Sequence, residues 1–260
     1  MPTVREHALA ALITTDANLK ASLVRNLDLN AYEIGASDDV KELEGIPGRP
    51  LKPELISHTL MKQRSMGTPE GRAAMVHALA HIELNAIDLA LDLVWRFPNM
   101  PDLFYTQWFA VAQEEALHFE LLRDHLVMLG FAYGDFPAHM SLWEMAEKTK
   151  HDLLARIAIV PRTLEARGLD ASPVVKAKLV GAGDKRAGEI LDIILRDEIG
   201  HVKLGNYWFN LMCKERELEP ISTYAELAQK YQAPKARGPF NTQARLEAGF
   251  TEDELLALLK

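Results

Sequence analysis

Cysteine is almost absent from the chain, because Cys213 is the only one among 260 residues. A single cysteine excludes an internal disulfide framework, a CxxC redox pair and a zinc or iron centre held by several cysteines. Long apolar runs and long basic runs are also absent. No stretch reaches the roughly 18 apolar residues that a membrane-spanning helix needs. The chain has no long basic run of the kind that would indicate a surface that wraps nucleic acid.

The composition is otherwise that of an ordinary soluble globular protein, with 48% hydrophobic and 25% charged residues and a formal net charge of −8. The apolar stretch at residues 8–14 is too short for a signal peptide, and Asp16 and Lys20 follow it where a small-residue cleavage site would stand. We therefore expect a cytoplasmic protein without a membrane partner. The acidic balance disfavours nucleic acid as a partner without excluding it, and a homo-oligomer is compatible with the sequence.

Helix start and stop signals predict four long helical elements. They run over residues 69–97, 101–129, 151–180 and 184–216. Thr68 can cap the first helix and Pro69 suits its first turn, whereas Gly130 ends the second helix. Because only a few residues separate the first two helices, we expect them to be antiparallel neighbours.

The third element carries two irregularities. Pro161 lacks an amide donor and should kink the helix about one turn before Glu165. Gly168 and Pro173 bracket a stretch that predicts a break, after which residues 174–180 complete the element. The preceding residues, about 130–150, form a partly helical crossover that is long enough to make the third helix parallel to the second.

Both ends of the chain predict shorter elements. Residues 1–30 predict one helix, because apolar residues recur there at helical spacing. This stripe consists of Leu9, Leu12, Ile13, Leu19, Leu23 and Leu27. Residues 31–53 are rich in turn formers and should wrap the core, and a short helix is expected over residues 53–64. After Pro220, three minor helices are expected, with start signals at Thr223, Asn241 and Thr251.

Two Glu-x-x-His pairs indicate the chemistry. Glu115 and His118 lie three residues apart in the second helix, and Glu198 and His201 repeat that spacing in the fourth. Residues three apart share one helix face, and the rest of that face is apolar in both helices. A carboxylate and an imidazole aimed into apolar packing cost several kcal/mol unless something binds them. A metal site explains both pairs at once.

A single glutamate on each of the other two helices completes the pattern. Glu83 and Glu115 each lie 14 residues from the break between the first two helices, which is about 21 Å at 1.5 Å per residue. We therefore expect Glu83 to meet the Glu115–His118 pair at the same level. Glu165 precedes Glu198 by 33 residues, against 32 from Glu83 to Glu115, so the second half repeats the first.

Four glutamates and two histidines that converge in one core require cations. The predicted metal ligands are Glu83, Glu115, His118, Glu165, Glu198 and His201. Two divalent ions would neutralise the four carboxylates, and a mixed oxygen and nitrogen donor set suits iron first and manganese second. Di-iron and di-manganese carboxylate bundles use this ligand pattern, with one Glu from each of two helices and Glu-x-x-His from each of the others. No residue is nominated as a general acid or base.

The predicted fold is all-α. It is a ferritin-like four-helix bundle with a long crossover between the second and third helices and with peripheral N- and C-terminal helices. We expect a single domain over residues 1–260. Its bundle core spans residues 69–216, the N-terminal helical wrap residues 1–68 and the C-terminal helical extension residues 217–260.

With these residues in place, the chain resembles the ferritin-like superfamily. More narrowly, it is similar to an uncharacterised bacterial family of ferritin-like proteins related to the di-iron hydroxylases that modify tRNA. The stretches that carry the resemblance are residues 81–88, 114–119, 164–170, 196–202 and 235–241. It covers most of residues 70–245 and implies a metal centre held by the six ligands, without implying a particular reaction.

These observations predict a non-haem dinuclear-metal oxidoreductase, with iron as the preferred metal. It would activate O₂ to hydroxylate or oxidise a substrate, either a small molecule or a modified base, with electrons from an unidentified donor. Three alternatives stay open: a ferroxidase or iron-handling protein, a di-manganese catalase-like enzyme, and a structural metal-binding bundle without catalysis.

Overall fold

The chain is all-α, as the sequence predicts. The computed structural model describes residues 1–62 and 64–258. These residues are 67% helical, and among them no β-strand occurs beyond an isolated bridge between Leu55 and Ala138. It divides into two compact units, residues 1–140 and residues 141–260. The single domain and the ferritin-like arrangement of four helices stay predictions.

Two long helices form the centre of the first unit. They are α3 (Pro69–Arg96) and α4 (Asp102–Met128), which pack along one another. The predicted start of α3 is confirmed, because the Thr68 hydroxyl accepts a hydrogen bond from the amide of Gly71 and Pro69 occupies the first turn. The predicted stop of α4 is confirmed as well, since Gly130 follows the helix with φ of +84°, a conformation that glycine adopts at no steric cost.

The turn between these helices is closed by local hydrogen bonds. Asn99 adopts a left-handed conformation with φ of 62°, which asparagine tolerates better than most residues. The Tyr105 hydroxyl accepts a hydrogen bond from the amide of Met100 at 3.1 Å and donates one to the carbonyl of Phe97 at 2.8 Å. The chain therefore reverses within five residues, and α3 and α4 become antiparallel neighbours.

The single N-terminal helix predicted over residues 1–30 is wrong. The structure has two helices there, α1 (Val4–Leu12), which packs on α3, and α2 (Ala17–Arg25), which packs on α4. The Asp16 carboxylate accepts a hydrogen bond from the amide of Leu19 at 2.8 Å. This N-cap stabilises a new helix start. The apolar pattern that seems continuous over residues 1–30 is therefore divided between two helices.

The interruption changes which side chains face the core. Leu19 and Leu23, which belong to the predicted apolar stripe, are 53% and 47% exposed, whereas Ala21 and Val24 are fully buried. A second helix that starts anew has its own rotational phase, so a stripe counted across the break does not continue.

The short helix predicted over residues 53–64 is reduced to a single 3₁₀ turn, His58–Leu60. The backbone before it is committed elsewhere: the Ile56 amide donates to the Ala138 carbonyl at 2.8 Å, and the Ala138 amide donates to the Glu54 carbonyl at 2.9 Å. Another 3₁₀ turn spans Leu29–Ala31. Residue 63 of this prediction and residues 259–260 of the predicted C-terminal extension lie outside the described residues.

The second unit contains the counterparts of the third and fourth predicted helices. Its first elements are α5 (Ser141–Thr149), α6 (Leu153–Ile159), a π-helical segment (Val160–Glu165), α7 (Ala166–Gly181) and α8 (Lys185–Glu215). The start near Asp184 is confirmed, because its carboxylate accepts a hydrogen bond from the Ala187 amide at 3.0 Å. The irregularity predicted at Pro161 takes the form of the π-helical segment.

The break predicted over residues 168–173 is wrong, since α7 continues through Pro173. Proline has no amide hydrogen, so the carbonyl of Leu169 four residues earlier loses its helical donor. The side-chain amide of Asn241 replaces it by donating to that carbonyl at 3.2 Å. A residue far along the chain thus makes an internal proline acceptable.

Three short helices end the described chain. They are α9 (Pro220–Lys230), α10 (Thr242–Glu247) and α11 (Glu252–Leu258). The predicted start at Thr223 is wrong, because Glu219 caps α9 by accepting hydrogen bonds from the amides of Ile221 and Ser222. The start signals at Asn241 and Thr251 are confirmed, since both residues precede their helices and accept from amides three residues later.

Helix α3 is long and apolar enough to cross a membrane by length and composition alone. However, 67% of its most apolar stretch is buried inside the fold. That burial is typical of the core helix of a soluble protein. A cytoplasmic location stays a prediction.

Candidate metal centre

The first unit brings three of the predicted ligands together. Glu83 projects from α3, and Glu115 and His118 project from α4. The His118 Nδ1 atom lies 3.2 Å from a Glu115 carboxylate oxygen and 3.4 Å from a Glu83 carboxylate oxygen. One ligand atom from each of the three side chains lies within 4.8 Å of the others. Glu83 therefore lies level with the Glu115–His118 pair, as the residue count from the turn predicts.

All three side chains are withdrawn from solvent. Glu83 is 4% exposed, and Glu115 and His118 are fully buried. The helix positions around Glu83 on the same face carry Ala80 and Ile87, which are also fully buried. Two acidic groups and an imidazole thus share an apolar interior, where unpaired charge is strongly unfavourable.

Without a cation, the electrostatics of the cluster disfavour the ionisation of both carboxylates. Burial, followed by the neighbouring charge of Glu115, raises the pKa of Glu83 to about 8, while contact with His118 acts in the opposite direction. A divalent cation between the carboxylates would reverse this balance, because its charge favours the ionised form of both. Carboxylate oxygens with an imidazole nitrogen suit iron, manganese and zinc. The buried cluster could therefore hold a metal ion.

The second unit places two further predicted ligands on one helix. Glu198 is 8% exposed and His201 is 1% exposed, and both project from the buried face of α8. A Glu198 carboxylate oxygen lies 4.0 Å from the His201 Nδ1 atom. The Glu-x-x-His spacing thus gives a second buried carboxylate–imidazole pair.

Glu165 occupies a different local structure. It is the last residue of the π-helical segment and is half-buried. This segment packs closely on α8: a Cβ atom added at Gly205 would lie 2.9 Å from the Pro161 Cβ. Glycine at position 205 therefore permits the approach of the segment that carries Glu165.

Sequence reasoning missed the buried arginine of this segment. Arg162 is 3% exposed and forms an ion pair with Glu254, which is 8% exposed. The available signal was a single charged residue inside the mainly apolar stretch 157–164. An arginine in such a stretch is buried only when a partner neutralises it, and that partner lies about ninety residues away, beyond the reach of local patterns.

His77 of α3 is a further buried histidine of the first unit. Its ring is fully buried, stacks on Tyr133 with centroids 5.1 Å apart, and accepts a hydrogen bond from the Gly134 amide through Nε2 at 2.9 Å. The imidazole therefore joins α3 to the loop after α4 and is not part of the glutamate cluster.

A protein-family model described as "Protein of unknown function (DUF455)" matches residues 13–256. The chain belongs to the DUF455 family. The matched range contains all six predicted ligands. A relative from Haemophilus influenzae (strain ATCC 51907 / DSM 11121 / KW20 / Rd), named "Uncharacterized protein", is 45% identical over 258 residues, which is 94% of this chain and 90% of that protein. No solved structure matches this DUF455 chain significantly.

Proposed function

We propose that this DUF455 protein is a soluble non-haem di-iron oxidoreductase that uses O₂ to hydroxylate or oxidise an organic substrate. The observation that carries the proposal is the buried cluster of Glu83, Glu115 and His118. Such a group is expensive to fold without a cation, and its donor atoms are those that iron accepts.

In this proposal the ligands of the second unit complete the centre. Glu165, Glu198 and His201 supply the same donor types as the first cluster, at nearly the same spacing in the sequence. The six side chains would hold two divalent ions, whose charge balances four carboxylates. The resulting ligand set corresponds to that of carboxylate-bridged bundles, which supports the ferritin-like arrangement predicted from the sequence.

The residues of the chain have three tasks in this centre. The glutamates would bind the ions through carboxylate oxygens and balance their positive charge, and each imidazole would bind through one nitrogen atom. Buried apolar side chains, such as Ala80 and Ile87, keep bulk water away from the carboxylates. When bound, a pair of ferrous ions would supply the electrons that reduce O₂, a reaction that organic side chains cannot catalyse efficiently. A separate electron donor would restore the ferrous state.

The test is elemental analysis of the protein purified from its own host, followed by exposure of the anaerobic ferrous form to O₂. We expect about two iron atoms per chain, as the ligand count requires, and an O₂-dependent change in the absorption spectrum. A preparation that contains neither iron nor manganese, and takes up neither when supplied in excess, would refute the proposal.

The same preparation separates the other functions of a dinuclear site. Manganese as purified, with rapid dismutation of hydrogen peroxide, would indicate a catalase-like enzyme. Growth of a ferric mineral would indicate iron storage. Bound metal without any spectral response to O₂ would indicate a structural role.

A further inference from the structure

The segment that carries Glu165 has an unusual backbone. Residues 160–165 are π-helical, so this turn contains more residues than an α-helical turn. The hydroxyl of Thr163 donates a hydrogen bond to the Ala158 carbonyl, five residues earlier, at 2.7 Å. Isolated π turns are rare and occur frequently at functional sites. Because Pro161 in this turn donates no amide hydrogen bond, contacts from outside the helix contribute to the position of the turn and of Glu165.

One external contact is made by Arg162, three residues before Glu165. Its Nη1 atom donates to the Asn206 side chain on α8 at 2.8 Å, and its Nη2 atom pairs with Glu254 on α11. The guanidinium also lies 5.0 Å from the ring centroid of Phe250. Glu254 in turn accepts hydrogen bonds from the amide and hydroxyl of Thr251. The C-terminal helix is thus joined directly to the π-helical turn.

A second external contact is made just after Glu165. Arg245 of α10 is 2% exposed. Its Nε and Nη2 atoms donate to the two carboxylate oxygens of Asp170 at 3.0 and 2.6 Å, and Nη2 also donates to the carbonyl of Ala166 at 3.2 Å. Bidentate arginine–carboxylate pairs fix geometry as well as charge. This contact reaches the residue that follows Glu165.

An apolar cluster supports both contacts. It consists of Ala166, Leu169, Val202, Ala244, Ala248 and Phe250, with Leu195, Ile199 and Leu255 packed against it. Its members come from α7 and α8 and from the C-terminal residues. The C-terminal residues are therefore packed against the stretch that includes Glu165.

We propose that residues 241–258 form a C-terminal brace that sets the position of Glu165, with Arg162 and Arg245 as positioning residues. The proposal rests on the proposed function, in which Glu165 is a metal ligand. One buried guanidinium, that of Arg162, lies three residues before Glu165 in the chain and pairs with Glu254 of the brace. The other, that of Arg245, belongs to the brace itself and contacts the carbonyl of Ala166, directly after Glu165. The C-terminal extension of this chain is then part of the metal centre's support, through contacts that do not touch the metal.

The key variant removes one buried pair without leaving a lone charge. In Arg162→Met/Glu254→Leu, both charged side chains are replaced by apolar side chains of similar size. Proteins often tolerate such a replacement of a whole buried ion pair. The matched control is Lys20→Met/Asp88→Leu, which removes an equally buried pair, with N–O distance 2.5 Å, in the first unit. Glu254→Gln, which keeps an acceptor for Arg162, is the milder second variant.

Hydrogen exchange of the metal-free protein tests the brace by itself. We expect amides of residues 158–166 to exchange at least about tenfold faster in the Arg162→Met/Glu254→Leu variant, while amides of α3 and α4 stay as protected as in the wild type. In the Lys20→Met/Asp88→Leu control the same amides should not change. Unchanged exchange at residues 158–166 in both the double variant and Glu254→Gln would overturn the proposal.

Titration with Co²⁺ tests whether the brace acts through Glu165. We expect the brace variant to lower Co²⁺ affinity by about 10–100-fold, the range for groups that orient ligands. Glu165→Ala should show the same loss, and the triple variant should lose no more, because both changes remove one interaction. Additive losses would show a merely structural role and overturn the proposal. A wild type that binds no Co²⁺, Fe²⁺ or Mn²⁺ would overturn the proposed function and the ligand role of Glu165, whatever the exchange result.

Discussion

At the scale of single residues, the Glu115 carboxylate should have two opposite effects: it should bind the metal ion and should destabilise the metal-free protein. The variant Glu115→Gln keeps the shape of the side chain but removes a buried charge that opposes the ionisation of Glu83. We expect the metal-free variant to be at least as stable as the wild type, while the stabilisation by added Fe²⁺ or Co²⁺ is lost. Thermal unfolding with and without metal measures both.

The control for this prediction is the adjacent residue. Glu114 is exposed on the same helix, so Glu114→Gln changes the same charge without touching the cluster. It should keep the full stabilisation by metal. An increase in unfolding temperature with metal that is equal in wild type and Glu115→Gln would contradict the assignment of Glu115 as a ligand.

His77 gives a prediction about acid. Burial lowers its pKa to about 4 from an ordinary value of 6.5. The folded protein therefore binds this proton less readily than the unfolded chain, so the contribution of His77 to stability is full above about pH 6.5 and is lost as pH falls towards 4. The loss is on the order of 2–3 kcal/mol at pH 4.

The measurement is the free energy of unfolding between pH 7 and 4. In His77→Gln, which does not titrate, the decline should be shallower than in the wild type by that amount. Exposed His151 provides the control, and His151→Gln should leave the profile unchanged. Parallel profiles for wild type and His77→Gln would show that the buried imidazole does not govern acid sensitivity.

At the scale of elements, alanine substitutions at two glycines of α8 should change the free energy of unfolding in opposite directions. A Cβ at Gly205 would lie 2.9 Å from Pro161 and should push the π-helical segment away. We expect Gly205→Ala to lower the free energy of unfolding by about 1–3 kcal/mol, as overpacking usually does. Gly200 has no atom within 4 Å of such a Cβ, so Gly200→Ala should raise stability by about 0.5–1 kcal/mol through helix propensity. Urea unfolding of both variants checks the signs; a neutral or stabilising Gly205→Ala would contradict the close packing.

The continuous helix through Pro173 supports a coupling prediction. Asn241→Ser keeps a capping oxygen for α10 but removes the donor to the Leu169 carbonyl, at an expected cost of about 1 kcal/mol. In the Pro173→Ala background the helix supplies its own amide to that carbonyl, so the same substitution should cost less. A double-mutant cycle measures the difference. Equal costs in both backgrounds would mean that Asn241 does not compensate for the proline.

These elements also show how far the sequence could lead. Thr68, Gly130 and Asp184 end or begin helices through contacts within a few residues, so their boundaries could be predicted. The break at Pro173 was wrong because its compensation comes from Asn241, which no local pattern relates to Leu169. Long-range contacts of this kind also hide the buried role of Arg162.

The candidate site divides in the same way. The spacing of Glu115 and His118, and their distance from the turn, depend only on helix geometry, so the approach of Glu83 to this pair could be predicted. The two N-terminal helices could not, because the Asp16 cap competes with a continuous apolar pattern. Helical periodicity alone does not contain that competition.

At the scale of the whole molecule, we expect metal binding and folding to be linked. The buried carboxylates favour a cation only in the folded chain, so ligand binding should stabilise the native state by mass action. Removal of metal by a chelator should lower the thermal unfolding temperature, and restored Fe²⁺ should raise it again. A temperature that is independent of metal content would contradict this linkage.

In the proposed function, six side chains hold two metal ions in one chain. The most direct measurement is the number of Fe²⁺ ions bound per chain at saturation under anaerobic conditions, in the wild type and in Glu115→Gln/Glu198→Gln. The ligand set predicts about two ions for the wild type and fewer than one for the variant, because each substitution removes a central carboxylate. A wild type that binds no iron, or a variant that binds as much as the wild type, would contradict the claim.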